Sequence, residues 1–190
     1  MLFCDHLSRQ EVLEAKQTNR EDLLAGLVAD FRKTFPDLTF ELQLDFSIIN
    51  AQALRLANQQ LVTIYGGLAL HPRLGPDGLT FIVLHEVGHH LAEGCRSKRD
   101  PSLACECAAD YWAVTTGAAD LRLRTNRSLR MQVAVEQLDA VLSPRQPSKG
   151  KYTKTNKSSG CWAGGWPSRR SALLARDRSP QTTGCCISHI

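Results

Sequence analysis

A chain of 190 residues, 43% apolar and 22% charged, is long enough for one compact domain with an extension and too apolar to be disordered throughout. The net charge of +4 hides an asymmetry: residues 1–142 carry 14 Lys/Arg against 18 Asp/Glu, while residues 143–190 carry 9 against Asp177 alone. That division predicts a mildly acidic body over 1–142 and a basic, disordered tail over 143–190, able to touch nucleic acid or acidic partners.

The opening MLFCDHLSRQEV has no charged-then-apolar secretory pattern, and no run approaches the roughly 18 apolar residues of a membrane span. A soluble, cytoplasmic protein is expected. Seven cysteines, an odd number, do not suggest a disulfide framework, so reduced thiols or metal ligands are expected instead.

In chain order, Leu13, Leu23, Leu24, Leu27, Val28 and Phe31 recur at helical spacing over 8–35, with an interruption near Thr18-Asn19 and a stop at Pro36. LTFELQLDF alternates Leu38, Phe40, Leu42 and Leu44 with polar residues, as a half-buried strand does. ALRLA and QLVTIY are two further strands joined at Asn58-Gln59. The second is either the candidate edge on which an extended peptide adds as a new strand or, through Leu61-Val62-Thr63-Ile64, an inner core strand. After the turn cluster HPRLGPDG, residues 78–94 read as an apolar helix, capped by Asp77 and stopped by Gly94. Asp100-Pro101 opens another helix that runs to Gly117, and 127–142 form a last one. Helix, small mostly antiparallel sheet, then helices: the order predicts an α+β domain.

His85-Glu86-Val87-Gly88-His89 places two histidines four apart on one helix face, where both imidazoles can bind one ion. Glu86 lies beside them as a candidate general base. A catalytic zinc site takes a third protein ligand. The metzincin extension needs a glycine and a histidine where this chain has Ala92 and Cys95, so the third ligand must come from elsewhere. Glu106 and Asp110, again four apart, offer a carboxylate ligand and an acceptor for a histidine ring N–H. Cys95, Cys105 and Cys107 are rival donors, whereas His90, turned about 100° from His89, faces elsewhere.

NAQALRLANQQLVTIYGGLAL, GLTFIVLHEVGHHLAEG and CECAADYWA together resemble the gluzincin peptidases of the HtpX and CAAX-prenyl endopeptidase type, over about residues 48–117. Lacking a membrane helix, the chain is most similar to the soluble, stand-alone minigluzincins. The resemblance implies a zincin-like metallopeptidase domain over 1–142 with one Zn2+ per chain held by His85, His89 and Glu106. It also implies Glu86 as catalytic base, Asp110 supporting a ligand histidine, and a protein or peptide as substrate. The residue that steadies the transition state departs from the family pattern and is left to Arg124, Arg127 or Tyr111. The function expected is a soluble zinc endopeptidase. The alternatives are a regulatory metalloprotease acting on a repressor and a non-catalytic zinc-stabilised module whose tail contacts nucleic acid. Trp162, Trp166, Leu173 and Leu174 are apolar anchors by which the tail would fold back onto the body.

Overall fold

The computed structural model describes residues 20–142 together with 173–174. The first half of the expected N-terminal helix, and the tail apart from Leu173 and Leu174, lie outside the described residues.

Helix α1 (Arg20–Thr34) begins just after the Thr18-Asn19 interruption and buries the stripe Leu24, Leu27, Val28 and Phe31. Its apolar face fits the three-and-four spacing read from the sequence. Phe35, which precedes Pro36, cannot readily stay helical, so the chain turns there. The Phe31 ring packs against Phe35 and Phe40 at 6.0 and 5.7 Å. Strand β1 (Leu38–Gln43) buries Leu38 and Phe40 in alternation. Strands β2 (Ala51–Leu56) and β3 (Gln59–Tyr65) form an antiparallel hairpin whose turn places Ala57 at a φ of 52°.

The sheet order is β1-β3-β2, with β1 parallel to β3 and β2 antiparallel to it. The fold is α+β, as expected, around a mixed sheet with one pairing of each kind. β3 is the central strand, and Leu61, Val62, Thr63 and Ile64 are all buried. Of the two alternatives for QLVTIY, the free edge is therefore overturned. Leu61-Val62-Thr63-Ile64, buried at four successive positions, is the pattern of a strand covered on both faces.

Gly66 and Gly67 start the single turn α2 (Gly66–Ala69), pressed so closely on the Leu44 and Ser47 carbonyls that no Cβ fits. Helix α3 (Pro76–Leu91) follows, with Gly75 as N-cap and Pro76 in the first turn. Asp77 is not the cap. It lies one residue inside, buried, and accepts the Arg130 backbone N–H at 2.8 Å and its guanidinium at 2.7 Å. Gly94 does take the left-handed conformation, at a φ of 96°, after the helix has ended.

Helix α4 (Glu106–Trp112) starts later than the Asp100-Pro101 signal suggested. The Asp100 carboxylate instead accepts from the Ser102 N–H and hydroxyl, closing a local turn. A π-helical turn (Ala113–Gly117) then leads into α5 (Ala118–Thr125). Asn126, at a φ of 62°, ends that run, and α6 (Met131–Leu142) begins four residues after the expected start of the last helix.

The core gathers the inner faces of α1, α3 and α6 with the sheet. Leu173, 3% exposed, and Leu174 pack against the same core, so that pair from the expected tail joins the body. Among the described residues no helix is long and apolar enough to cross a membrane.

Candidate metal centre

The centre of the molecule is α3, buried at every position from Asp77 to His90. Its polar residues therefore sit in the interior, where each needs a partner. The i, i+4 spacing sets the His85 and His89 rings edge to face, their centroids 4.6 Å apart. The Glu86 carboxylate lies within 4.8 Å of both histidines' nitrogens, and the three form a buried group able to hold a metal ion.

Helix α4 crosses this face of α3. Gly88 makes the crossing possible, because a Cβ there would stand 2.7 Å from the Ala109 carbonyl oxygen. The close approach brings the first residue of α4 to the histidines. Glu106 Oε2 is 3.2 Å from His85 Nε2, and Oε1 is 3.6 Å from His89 Nε2. One turn along, Asp110 Oδ1 is 2.8 Å from His85 Nδ1. His89 Nδ1 donates to the Ala104 carbonyl at 2.8 Å. All five residues singled out in the sequence, His85, Glu86, His89, Glu106 and Asp110, thus meet in one cluster.

Hydrogen-bond chemistry tests whether the cluster suits a cation. Both Nδ1 atoms face oxygens that only accept, so each ring carries its proton there and turns a lone pair outward at Nε2. Both Nε2 atoms point at the Glu106 carboxylate, itself only a lone-pair donor. Protonating both rings would relieve the clash, but it would place two imidazolium ions side by side in the interior. Burial, and then the neighbouring His85 ring, hold His89 below the ordinary imidazole value. A divalent cation among the three groups relieves the clash without that cost, and two imidazoles with a carboxylate are a ligand set for it. Both carboxylates are near, but Glu106 spans the two Nε2 atoms, whereas Glu86 is the sequence neighbour of His85. Glu106 is also 48% exposed, against 0% and 8% for the two histidine side chains, so the cluster opens to solvent on that side.

The rivals go elsewhere. His90 Nε2 contacts the Leu61 carbonyl at 3.0 Å, on the sheet side of α3. Cys105 occupies the N-cap position of α4 without a capping side-chain hydrogen bond, and Cys107 is disulfide-bonded, which corrects the expectation of a reduced thiol there. Arg127 is engaged by Asp30 of α1, with its Nε at 2.6 Å, and not by the cluster. Tyr111 is 38% exposed, and Arg124 lies on the exposed face of α5. Two contributors escape the sequence reading. Gly88 could have been found as a glycine inside an otherwise apolar helix. The Ala104 carbonyl could not, because a backbone acceptor leaves no trace in residue type.

No protein-family model, curated protein or solved structure matches the chain.

Proposed function

We propose that the chain is a zinc-dependent endopeptidase of the gluzincin kind, with His85, His89 and Glu106 holding one zinc ion. The observation that supports it most is the convergence of two imidazole Nε2 atoms on the Glu106 carboxylate while both Nδ1 atoms are already engaged. Zinc among these ligands supplies Lewis acidity, polarising a carbonyl and making water acidic near neutral pH.

The protein's own groups do the rest. Glu86, buried against both histidines, is the base that takes a proton from the attacking water and returns it to the departing amine. Asp110 fixes the His85 tautomer, and the Ala104 carbonyl fixes that of His89. The half-exposed side of Glu106 is the approach for substrate. With β3 inside the sheet, the strand placed to receive an extended peptide is β2, an outer strand that packs against α3.

The test compares wild type with Glu86→Gln, measuring bound zinc by elemental analysis and hydrolysis of an unfolded protein. Zinc should stay at one per chain while hydrolysis falls by roughly 10² or more. Equal hydrolysis by the two proteins would reject the mechanism. No turnover by either, with zinc retained, would favour a non-catalytic zinc-stabilised module.

A further inference from the structure

Which groups of β2 face outward follows from its ladder with β3. The Tyr65 N–H donates to the Asn50 carbonyl at 3.1 Å, and Asn50 stands opposite Tyr65, one step before the pair Ala51 and Ile64. Opposed residues in an antiparallel ladder alternate between exchanging both backbone bonds and exchanging none. Gln52, Leu54 and Leu56 therefore turn their N–H and C=O groups inward to β3, while Ala51, Ala53 and Arg55 turn theirs to the outer edge. Among the described residues no strand pairs with that edge.

Side chains alternate with the same period. Ala51 and Ala53 are buried on the side of the sheet that packs against α3, so Arg55 projects from that side too, at an exposed position. It lies within electrostatic range of His90, in the last turn of α3, and of Asp100, in the connection to α4. The Asp100 carboxylate is engaged by Ser102, and among the described residues Arg55 is in no ion pair. A peptide strand laid antiparallel along this edge bonds to Ala51, Ala53 and Arg55. The peptide residue bonded to Arg55 lies directly across from it, with Cα atoms about 5.5 Å apart and its side chain on the same face. The two alanines bring neither charge nor bulk, so discrimination on that face falls to Arg55.

We propose that Arg55 is a specificity residue that selects peptides carrying Asp or Glu at the position paired with it. A carboxylate there gives the guanidinium a charge-assisted partner, whereas Lys or Arg meets like charge. The connection after α3 has the same bias, since Arg96, Lys98 and Arg99, all exposed, outnumber Glu93 and Asp100. Selection at Arg55 rests on the peptidase reading and on β2 as the receiving strand.

The test digests a proteome-derived peptide mixture with the full zinc-loaded chain and reads the cut sites by mass spectrometry. Wild type should show Asp and Glu enriched at one fixed distance from the cut bond. Arg55→Gln should lose the enrichment, and Arg55→Glu should shift it to Lys and Arg. For matched peptides with Glu or Gln at that distance, the wild-type preference in kcat/KM should be roughly five-fold and should shrink as salt is raised. A wild-type profile without acidic enrichment, or one that Arg55→Glu leaves unchanged, would overturn the proposal. Binding decides the case in which nothing is cut. The zinc-loaded Glu86→Gln chain, with and without Arg55→Gln, is titrated into fluorescein-labelled decapeptides carrying Glu or Gln at alternate positions. A Glu peptide that binds no more tightly than its Gln counterpart, or equally tightly with Arg55→Gln, rejects selection at Arg55. No cleavage by wild type, with the Glu preference in binding retained, rejects the peptidase reading and leaves Arg55 as the selecting residue.

Discussion

Helices α3 and α4 both serve the candidate metal centre, but they are held very differently. α3 has sixteen residues, is buried from Asp77 to His90, and packs on the sheet, α4 and α6. α4 has seven, buries Ala108, Ala109 and Asp110, and begins with a half-exposed Glu106 after an irregular connection. The histidines are therefore fixed by the core itself, while the carboxylate is fixed by a crossing point at Gly88 and by the fold of the preceding loop. The candidate site thus has two rigid imidazoles and one carboxylate that depends on its supports. Changes on α3 should act on metal binding outright, and changes around α4 should act by degree.

The largest effect should come from His89→Ala. It removes one of the two Nε2 donors and leaves a single imidazole among carboxylates. The variant should lose its metal on dialysis, as measured by elemental analysis, whereas Glu106→Gln, which keeps a neutral oxygen in place, should retain a weaker site. Undiminished metal in His89→Ala would remove α3 from the assignment.

The crossing point is the next place to break the arrangement. Gly88→Val drives side-chain carbons into the Ala109 backbone, where even a Cβ would stand 2.7 Å from the carbonyl oxygen. The two helices must separate, at a cost of about 3 kcal/mol, and Glu106 should retreat from both imidazoles. Urea unfolding of the metal-free protein reads the first effect and zinc titration the second. A variant as stable as wild type, with unchanged affinity, would show that close crossing is not what sets the ligand geometry.

What the sequence could say about this site follows from the same contrast. The His85 and His89 pair, and the Glu106 and Asp110 pair, were readable because helix geometry turns a spacing of four into a shared face. Where α4 begins was not readable, since Asp100-Pro101 has the composition of a helix start but is used for a turn around Ser102. Whether β3 lies inside the sheet or at its edge was left open by the residues. An apolar run tells that a strand is covered, but strand order depends on a distant parallel pairing with β1. The N-terminus of α3 misled for a third reason. Asp77 has the chemistry of a cap, yet Arg130, just before α6, claims its carboxylate, and the capping acceptor is Gln137 of α6.

A finer cut at the α4 side is Asp110→Asn. The amide keeps an acceptor for His85 Nδ1 at the same place but loses the charge that makes the imidazole a better donor to metal. Affinity for zinc should fall roughly 10- to 100-fold with little change in fold, read by competition with a chelator. Unchanged affinity would make Asp110 a structural partner of His85 and no more.

The smallest effect expected lies farthest from the candidate metal centre, where α3 starts. Helix starts leave backbone N–H groups without intrahelical acceptors, and here neither Gly75 nor its neighbours supply a capping side chain. Gln137 of α6 does so instead: its Oε1 accepts the Gly75 N–H at 2.9 Å and the Gly78 N–H at 2.8 Å. One amide oxygen from a different helix thus satisfies two of these donors and pins α3 to α6. Gln137→Ala removes that acceptor and should cost about 1 kcal/mol, the usual worth of a cap. Gln137→Glu keeps an oxygen there and puts a negative charge at the positive end of the helix, so it should recover most of the loss. Because α3 is held along its whole length by the core, neither change should alter zinc affinity. Equilibrium unfolding and chelator competition, run on the same variants, separate the two quantities. A fall in zinc affinity with Gln137→Ala would mean that α3 is less rigid than its burial implies and that its N-terminal anchor reaches the site.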